Sequence, residues 1–177
     1  MRVVDLSLSG VKLIYSDRHS DERGSFGECY RKPLYEEKGI QSTFIQDNLS
    51  ISKKGTIRGM HFQRSPGQAK LVMVLSGEIF DVVVDIRPDS PTFGKWEGVT
   101  LNAKENTQIY IPIGFAHGFC ALSEEAHVFY KVSSLYNPEE EKGFRYDDPA
   151  VGIQWPLKDR VLSERDLKAP FLHEVGF

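Results

Sequence analysis

Residues 56–75 read TIRGMHFQRSPGQAKLVMVL, and they place Arg58, His61, Gln63, Gln68 and Lys70 within one short stretch. An imidazole near neutral pH takes and returns protons, an ammonium steadies a developing negative charge, and a guanidinium grips anionic oxygens. Together these residue types suit an anionic substrate and a proton transfer. The apolar residues around them say how they are held. Ile57, Met60 and Phe62 punctuate the first half, and residues 71–75 form a continuous apolar run. Pro66-Gly67 and Ser76-Gly77 bound that run, so the stretch reads as two strands joined by a turn, the second strand buried. Polar groups beside such a run point either to solvent or into a cavity.

The rest of the chain has to supply that cavity. Residues 11–15 and 44–51 read as strands, with 17–24 a polar loop between them and 26–30 extended. Residues 33–39 suggest a turn or two of helix closed by Gly39. Residues 78–87 alternate cleanly: Phe80, Val82, Val84 and Ile86 share one face, and Ile79, Asp81, Val83 and Asp85 the other. Further strands are expected over 96–101, 108–111, 119–122 and 126–133, with 113–118 a glycine-flanked loop. After Tyr136, prolines at 138, 149, 156 and 170 interrupt any alternation. Ser163 stands as an N-cap for a short helix over 163–167, with Asp166 at the capping-box position. Many short strands separated by Gly/Pro turns predict an all-β sandwich or barrel, with a jelly roll the natural form at this length.

The chain has 177 residues and a net charge of −3, enough for one domain spanning 1–177 with a substantial core. The balanced charge gives no sign of a nucleic-acid or membrane surface, while leaving room for a local basic pocket. The start carries no apolar signal segment, and no run approaches a membrane span. The two cysteines, Cys29 and Cys120, are expected to be free thiols in a cytoplasmic protein.

Pro112-x-Gly114-x-x-His117 is a tight turn that delivers a histidine to the next strand, a spacing used by cupin-type jelly rolls. His117 beside Phe115 and Phe119 is equally readable as a hydrogen-bonded core residue. A metal-binding cupin also needs an earlier His-x-His with a following Glu, whereas here His61 is followed by Phe62 and Gln63. No metal is therefore expected.

The stretches DERGSFGE, FIQDNLSIS, GTIRGMHFQ, QAKLVMVLSGEIFDVVVDIRPDSPTFGKW, YIPIGFAHGF, YKVSSLYNPEEEKGFRYDDPAVGIQWP and LSERD occur in this order. Through them the chain resembles the dTDP-4-dehydrorhamnose 3,5-epimerase family over nearly its whole length. The resemblance implies a metal-free and cofactor-free cupin jelly roll (a double-stranded β-helix with a few short helices). It also implies a homodimer acting on a dTDP-linked 4-keto-6-deoxyhexose.

By resemblance His61 is the base, Asp166 its orienting carboxylate, Lys70 the cation that steadies the enolate and Tyr130 the proton donor on the opposite face. Without the resemblance, Asp166 reads as a helix cap, Lys70 as a solvated strand lysine and Tyr130 as core. Phe129 and Tyr130 face opposite ways on a strand, so only one of them lines the interior. Arg23 and Arg58 match diphosphate-binding arginines. Glu28, Gln46, Asp47 and Asn48 match the nucleotide-reading segment, and Tyr136 matches the aromatic that stacks on thymine. Phe26, His117, Glu141 and Arg165 match further ligand positions. Glu141 lies in an acidic run that otherwise reads as solvated, and Arg165 stands where lysine is common. Ser25, Gly27 and Ile113 are further departures around the pocket. The competing readings are a single-site C3 or C5 epimerase, a non-catalytic sugar-nucleotide-binding jelly roll and, last, a metal-dependent cupin oxygenase.

Overall fold

The structure is a computed structural model, described here for residues 1–176. In chain order the strands are β1 (Arg2–Asp5), β2 (Lys12–Tyr15), β3 (His19–Asp21), β4 (Gly24–Phe26), β5 (Gln46–Lys53), β6 (Ile57–Gln63) and β7 (Lys70–Ser76). They continue as β8 (Glu78–Asp85), β9 (Trp96–Asn102), β10 (Thr107–Ile111), β11 (Phe115–Ala121), β12 (Glu125–Val132) and β13 (Glu141–Gly143). Helices are short: α1 (Lys32–Glu37), α2 (Glu164–Leu167) and a 3-10 turn at Leu172–Glu174.

Two antiparallel sheets face one another, with orders β1-β2-β10-β7-β12-β5 and β13-β6-β11-β8-β9. This is the jelly roll that the strand spacing predicts. Val72, Val74, Ile79, Val83, Leu101, Ile109, Phe115 and Val128 fill the space between the sheets. On the outer face of the five-stranded sheet, Met60, Phe62, Val82 and Val84 pack against Phe144, Ile153, Trp155 and Leu172 from the C-terminal segment. On the outer face of the six-stranded sheet, Tyr35 of α1 and Ile40 cover Ile14, Leu71 and Tyr110. The clean alternation of residues 78–87 therefore marks a strand buried on both faces, because the proline-rich C-terminal segment covers the second one.

Four local expectations are corrected. Residues 17–24 are not simply a loop, since β3 and β4 pair as a hairpin. Only Phe26 of the expected 26–30 strand is in a strand. The expected loop over 113–118 is mostly strand: β11 begins at Phe115 and pairs with β8 along its full length. The acidic run at 139–141 ends in β13, which pairs with β6. In both of the last two cases a neighbouring strand supplies hydrogen bonds that local sequence cannot signal.

Candidate active site

A cleft of about 620 Å³ opens between the sheets at one end of the roll, and Arg58, His61, Lys70, His117, Tyr130, Arg165 and Asp166 all line it. Arg58 and His61 come from β6 and His117 from β11 of one sheet, whereas Lys70 and Tyr130 come from β7 and β12 of the other. Asp166 and Arg165 are brought over the mouth by α2.

Arg58 and His61 are three positions apart, a spacing that in a regular strand puts the two on opposite faces. The register with β11 shows how both reach the cleft. His117 pairs with His61 and Phe119 with Arg58, so β6 carries one more residue than its partner. This bulge turns the strand by one side-chain position. It depends on Gly59, whose φ is +134° and where a Cβ would stand 2.5 Å from the Gly118 Cα.

The His61 Nε2 lies 2.6 Å from the Asp166 Oδ1. The Asp166 side chain is 7% exposed and that of His61 25%. Ser163 caps α2 by accepting a hydrogen bond from the Asp166 backbone N–H at 3.1 Å. The helix-cap reading of this segment is thus correct for Ser163, while the Asp166 carboxylate itself is directed at the imidazole. Burial pushes that carboxyl up, but hydrogen bonding and charge from His61, with help from Ser163 and the Gly59 backbone, hold it below the ordinary carboxylate range. An ionised carboxylate on Nε2 fixes the imidazole tautomer with Nε2 as donor, which leaves Nδ1 free to accept a proton.

Lys70 is not a solvated strand lysine. It is 8% exposed. Burial lowers its ammonium from 10.5 to about 8, against the opposing pull of Glu141 and Asp81. Tyr130 projects from β12 into the cleft, and Phe129 is absent from the lining. Burial raises the Tyr130 phenol above its ordinary range, with Arg58 opposing and Glu141 reinforcing the shift. Lys70 and Tyr130 are near neighbours on one face, since Lys70 pairs with Val132 and Val72 with Tyr130. Arg58 donates from Nε to the Ser52 hydroxyl at 3.0 Å.

The strand alternation placed Asp81 on the same face as Ile79 and Val83 without giving it a role. It is fully buried, and its Oδ2 accepts from the His117 Nε2 at 2.8 Å. A charged residue between Ile79 and Val83 on the interior face was the signal that could have found it. His117 is accordingly both a hydrogen-bonded buried residue and part of the cleft wall. Among the described residues, no group of three His, Cys, Asp or Glu side chains converges as a metal-ligand set.

The remaining expected ligand positions lie outside this lining. Gln46 and Asn48 are hydrogen-bonded to each other at 2.8 Å, and Asp47 faces the other side of β5, paired with Lys131 at 2.7 Å. Tyr136 is exposed, with its hydroxyl donating to the Glu141 Oε2 at 3.0 Å; the same oxygen accepts from the Arg165 Nη1 at 2.6 Å. Arg23 and Phe26 sit on the β3–β4 hairpin, where Arg23 pairs with Asp21 and Phe26 is 78% exposed. Glu28 pairs with Arg31 at 3.1 Å. In a single chain these last three are not part of the cleft.

A base held by a carboxylate on one wall, facing a buried cation and a phenol on the other, can remove a proton from carbon, hold the resulting enolate and return a proton from a different direction. The comparisons with known proteins agree with that chemistry. A family model described as dTDP-4-dehydrorhamnose 3,5-epimerase matches residues 5–174. The dTDP-4-dehydrorhamnose 3,5-epimerase of Methanothermobacter thermautotrophicus is 47% identical over 168 residues, spanning 93% of this chain and 91% of its own. A dTDP-4-dehydrorhamnose 3-epimerase of Streptomyces niveus is 42% identical over 177 residues, spanning 99% of this chain and 86% of its own. The crystal structure of dTDP-6-deoxy-D-glucose-3,5-epimerase from Legionella pneumophila, in complex with dTDP-4-keto-L-rhamnose, matches with a TM-score of 0.96 at 45% identity, covering 99% of this chain and 94% of that one. On its sequence, its fold and the walls of its cleft, this chain belongs to the dTDP-4-dehydrorhamnose 3,5-epimerase family.

Proposed function

We propose that the protein converts dTDP-4-dehydro-6-deoxy-D-glucose to dTDP-4-dehydro-L-rhamnose by inverting C3 and C5, a step in dTDP-L-rhamnose formation. The single observation that carries this reading is the His61–Asp166 pair at 2.6 Å facing Lys70 and Tyr130 across one cleft. The C4 ketone acidifies the hydrogens on both neighbouring carbons. His61 takes such a proton with Asp166 holding its ring, and the electron pair moves onto the C4 oxygen as an enolate. Lys70 offers a poorly solvated ammonium to that oxygen, where a positive charge is worth far more than in water. Tyr130, approaching from the facing sheet, delivers a proton to the opposite side of the carbon, and the enolate collapses back to the ketone. Arg58 supplies a cation for the diphosphate, and Tyr136 an aromatic face for thymine.

The protein acts as a homodimer in this reading. Support comes from the outer face of the six-stranded sheet, where Leu49 and Ile51 on the edge strand β5 and Leu75 on β7 are 56%, 53% and 50% exposed. Exposed apolar side chains on a sheet edge favour pairing with a second copy. Arg23, Phe26 and Glu28 would then serve the partner's cleft. We also place the enzyme in the cytoplasm, supported by two free cysteines. No described helix is long and apolar enough to cross a membrane.

Incubation with dTDP-4-keto-6-deoxyglucose in D₂O, read by NMR, tests the proposal. Deuterium at both C3 and C5 is the expected result. Label at C3 alone assigns the single-site activity carried by the name of the Streptomyces relative. Binding of dTDP without label at either carbon refutes epimerisation of this sugar.

A further inference from the structure

Tyr136 lies on an exposed connection between β12 and β13, yet its N–H and the main chain of both its neighbours are held by side chains. The Gln63 Nε2 donates to the Leu135 carbonyl at 2.8 Å, and the Gln63 Oε1 accepts from the Asn137 N–H at 3.0 Å. Both ends of one side-chain amide thus grip the two residues flanking Tyr136. The Tyr136 N–H itself donates to the Gln46 Oε1 at 3.1 Å. Its phenol is tied to Glu141, which Arg165 holds in turn. Just upstream, the Gln68 Nε2 donates to the Ser134 carbonyl at 3.0 Å.

Gln63 differs from the other holders in being 7% exposed, while Leu135 and Tyr136 are 65% and 54% exposed. A buried amide is costly only when its hydrogen bonds are missing, and here both its oxygen and its nitrogen are satisfied by the main chain of an exposed loop, so release of the loop would leave Gln63 buried and unpaired. Gln63 also ends β6, two residues beyond His61 and on the same face, so the strand that carries the base also carries the clamp. A loop free to wander gives up ordering entropy when a ligand stacks on it, whereas a loop already held does not.

We propose that Gln63 is a positioning residue for nucleotide binding: it fixes the loop at residues 135–137 so that the Tyr136 ring is set at the cleft mouth before the nucleotide arrives. The inference rests on the reading of Tyr136 as the thymine-stacking ring. Gln63 does not touch the reacting atoms, so its effect belongs to affinity and not to the chemical step.

The test is a double-mutant cycle on the full chain, with Gln63→Leu, Tyr136→Ala and the double variant, read as the Kd for free dTDP by calorimetry and as kcat and KM for the sugar nucleotide. Q63L is expected to weaken dTDP binding about tenfold, with a matching rise in KM and kcat within about twofold. In the Tyr136→Ala background it should cause no further loss, because there is no ring left to place. Gln63→Glu provides a second variant if Q63L folds poorly. Its carboxylate still accepts from the Asn137 N–H but repels the Leu135 carbonyl, so its loss should be intermediate and equally absent in the Tyr136→Ala background. An unchanged Kd in Q63L or Q63E overturns the proposal, as does an equal loss with and without Tyr136. If Tyr136→Ala alone leaves dTDP affinity intact, the stacking assignment falls and the clamp falls with it. A wild-type protein with Gln63-dependent dTDP binding but no turnover of any 4-keto sugar supports the clamp and overturns the epimerase reading.

Discussion

Replacing Lys70 by methionine should make the protein more stable and nearly inactive. Lys70 is 8% exposed, and burial lowers its ammonium from 10.5 to about 8 even with Glu141 and Asp81 pulling the other way. Each pH unit of such a displacement corresponds to ~1.4 kcal/mol, so keeping the charge in the folded state costs on the order of 3 kcal/mol relative to water. Methionine matches the lysine stem in length and flexibility and carries no charge to desolvate. The sign follows from proton linkage. Below pH about 8 both folded and unfolded wild-type chains hold the proton, and the full penalty applies. Between about 8 and 10.5 the unfolded chain holds more protons than the folded one, so wild-type stability rises with pH across that window. Urea denaturation followed by the fluorescence of Trp96 and Trp155 should therefore show Lys70→Met more stable by about 1–3 kcal/mol at pH 7, the lower end allowing for imperfect packing of the thioether. The gap should close as pH approaches 10. Over the same range wild-type turnover should fall as the ammonium is lost, and Lys70→Met should turn over about 10²–10³-fold more slowly at pH 7, the usual consequence of removing one oxyanion donor. A variant less stable than wild type at pH 7, or a stability gap that does not narrow with pH, would refute the assignment of Lys70 as a buried, strained cation.

Other substitutions separate the parts of the site. His61→Ala should abolish deuterium exchange at C3 and C5 while dTDP binding stays near wild type; exchange at the original rate would remove His61 as the base. Asp166→Asn keeps the shape but favours the wrong imidazole tautomer, so kcat should drop by about 10²–10⁴-fold with little change in dTDP affinity. Gly59→Ala meets both an unfavourable φ and the Gly118 backbone, and thermal or urea unfolding should show a loss of about 2–4 kcal/mol. Wild-type stability in that variant would mean the bulge in β6 is not needed. Leu49→Glu with Ile51→Glu should shift the protein to a monomer in sedimentation and suppress turnover, because Arg23, Phe26 and Glu28 would no longer reach a partner's cleft; a monomer of full activity would show that each cleft is complete in one chain.

How much of this was legible in the chain differs from residue to residue. Strand identity was readable where β-branched and aromatic residues alternate, as in residues 78–86, since side-chain direction in a strand follows position alone. The candidate base and cation were readable too, because an imidazole and an amine among apolar residues already limit the chemistry available. The family motifs extended that reading to Asp166, whose local sequence says only that it follows a capping serine. What local sequence could not decide was distance. Asp166 lies 105 residues from His61, and only the packing of the C-terminal segment brings the carboxylate to the ring. Arg58 and His61 share a face because β11 imposes a register that puts one extra residue in β6. Lys70 is buried, Asp81 sits against His117, and Gln63 spans the two sides of Tyr136, each through partners on other strands or loops. Alternation and residue chemistry are properties of neighbours in the chain, and the sequence by itself determined them. Burial, register and the convergence of charges depend on which elements meet, and only the tertiary structure decided those.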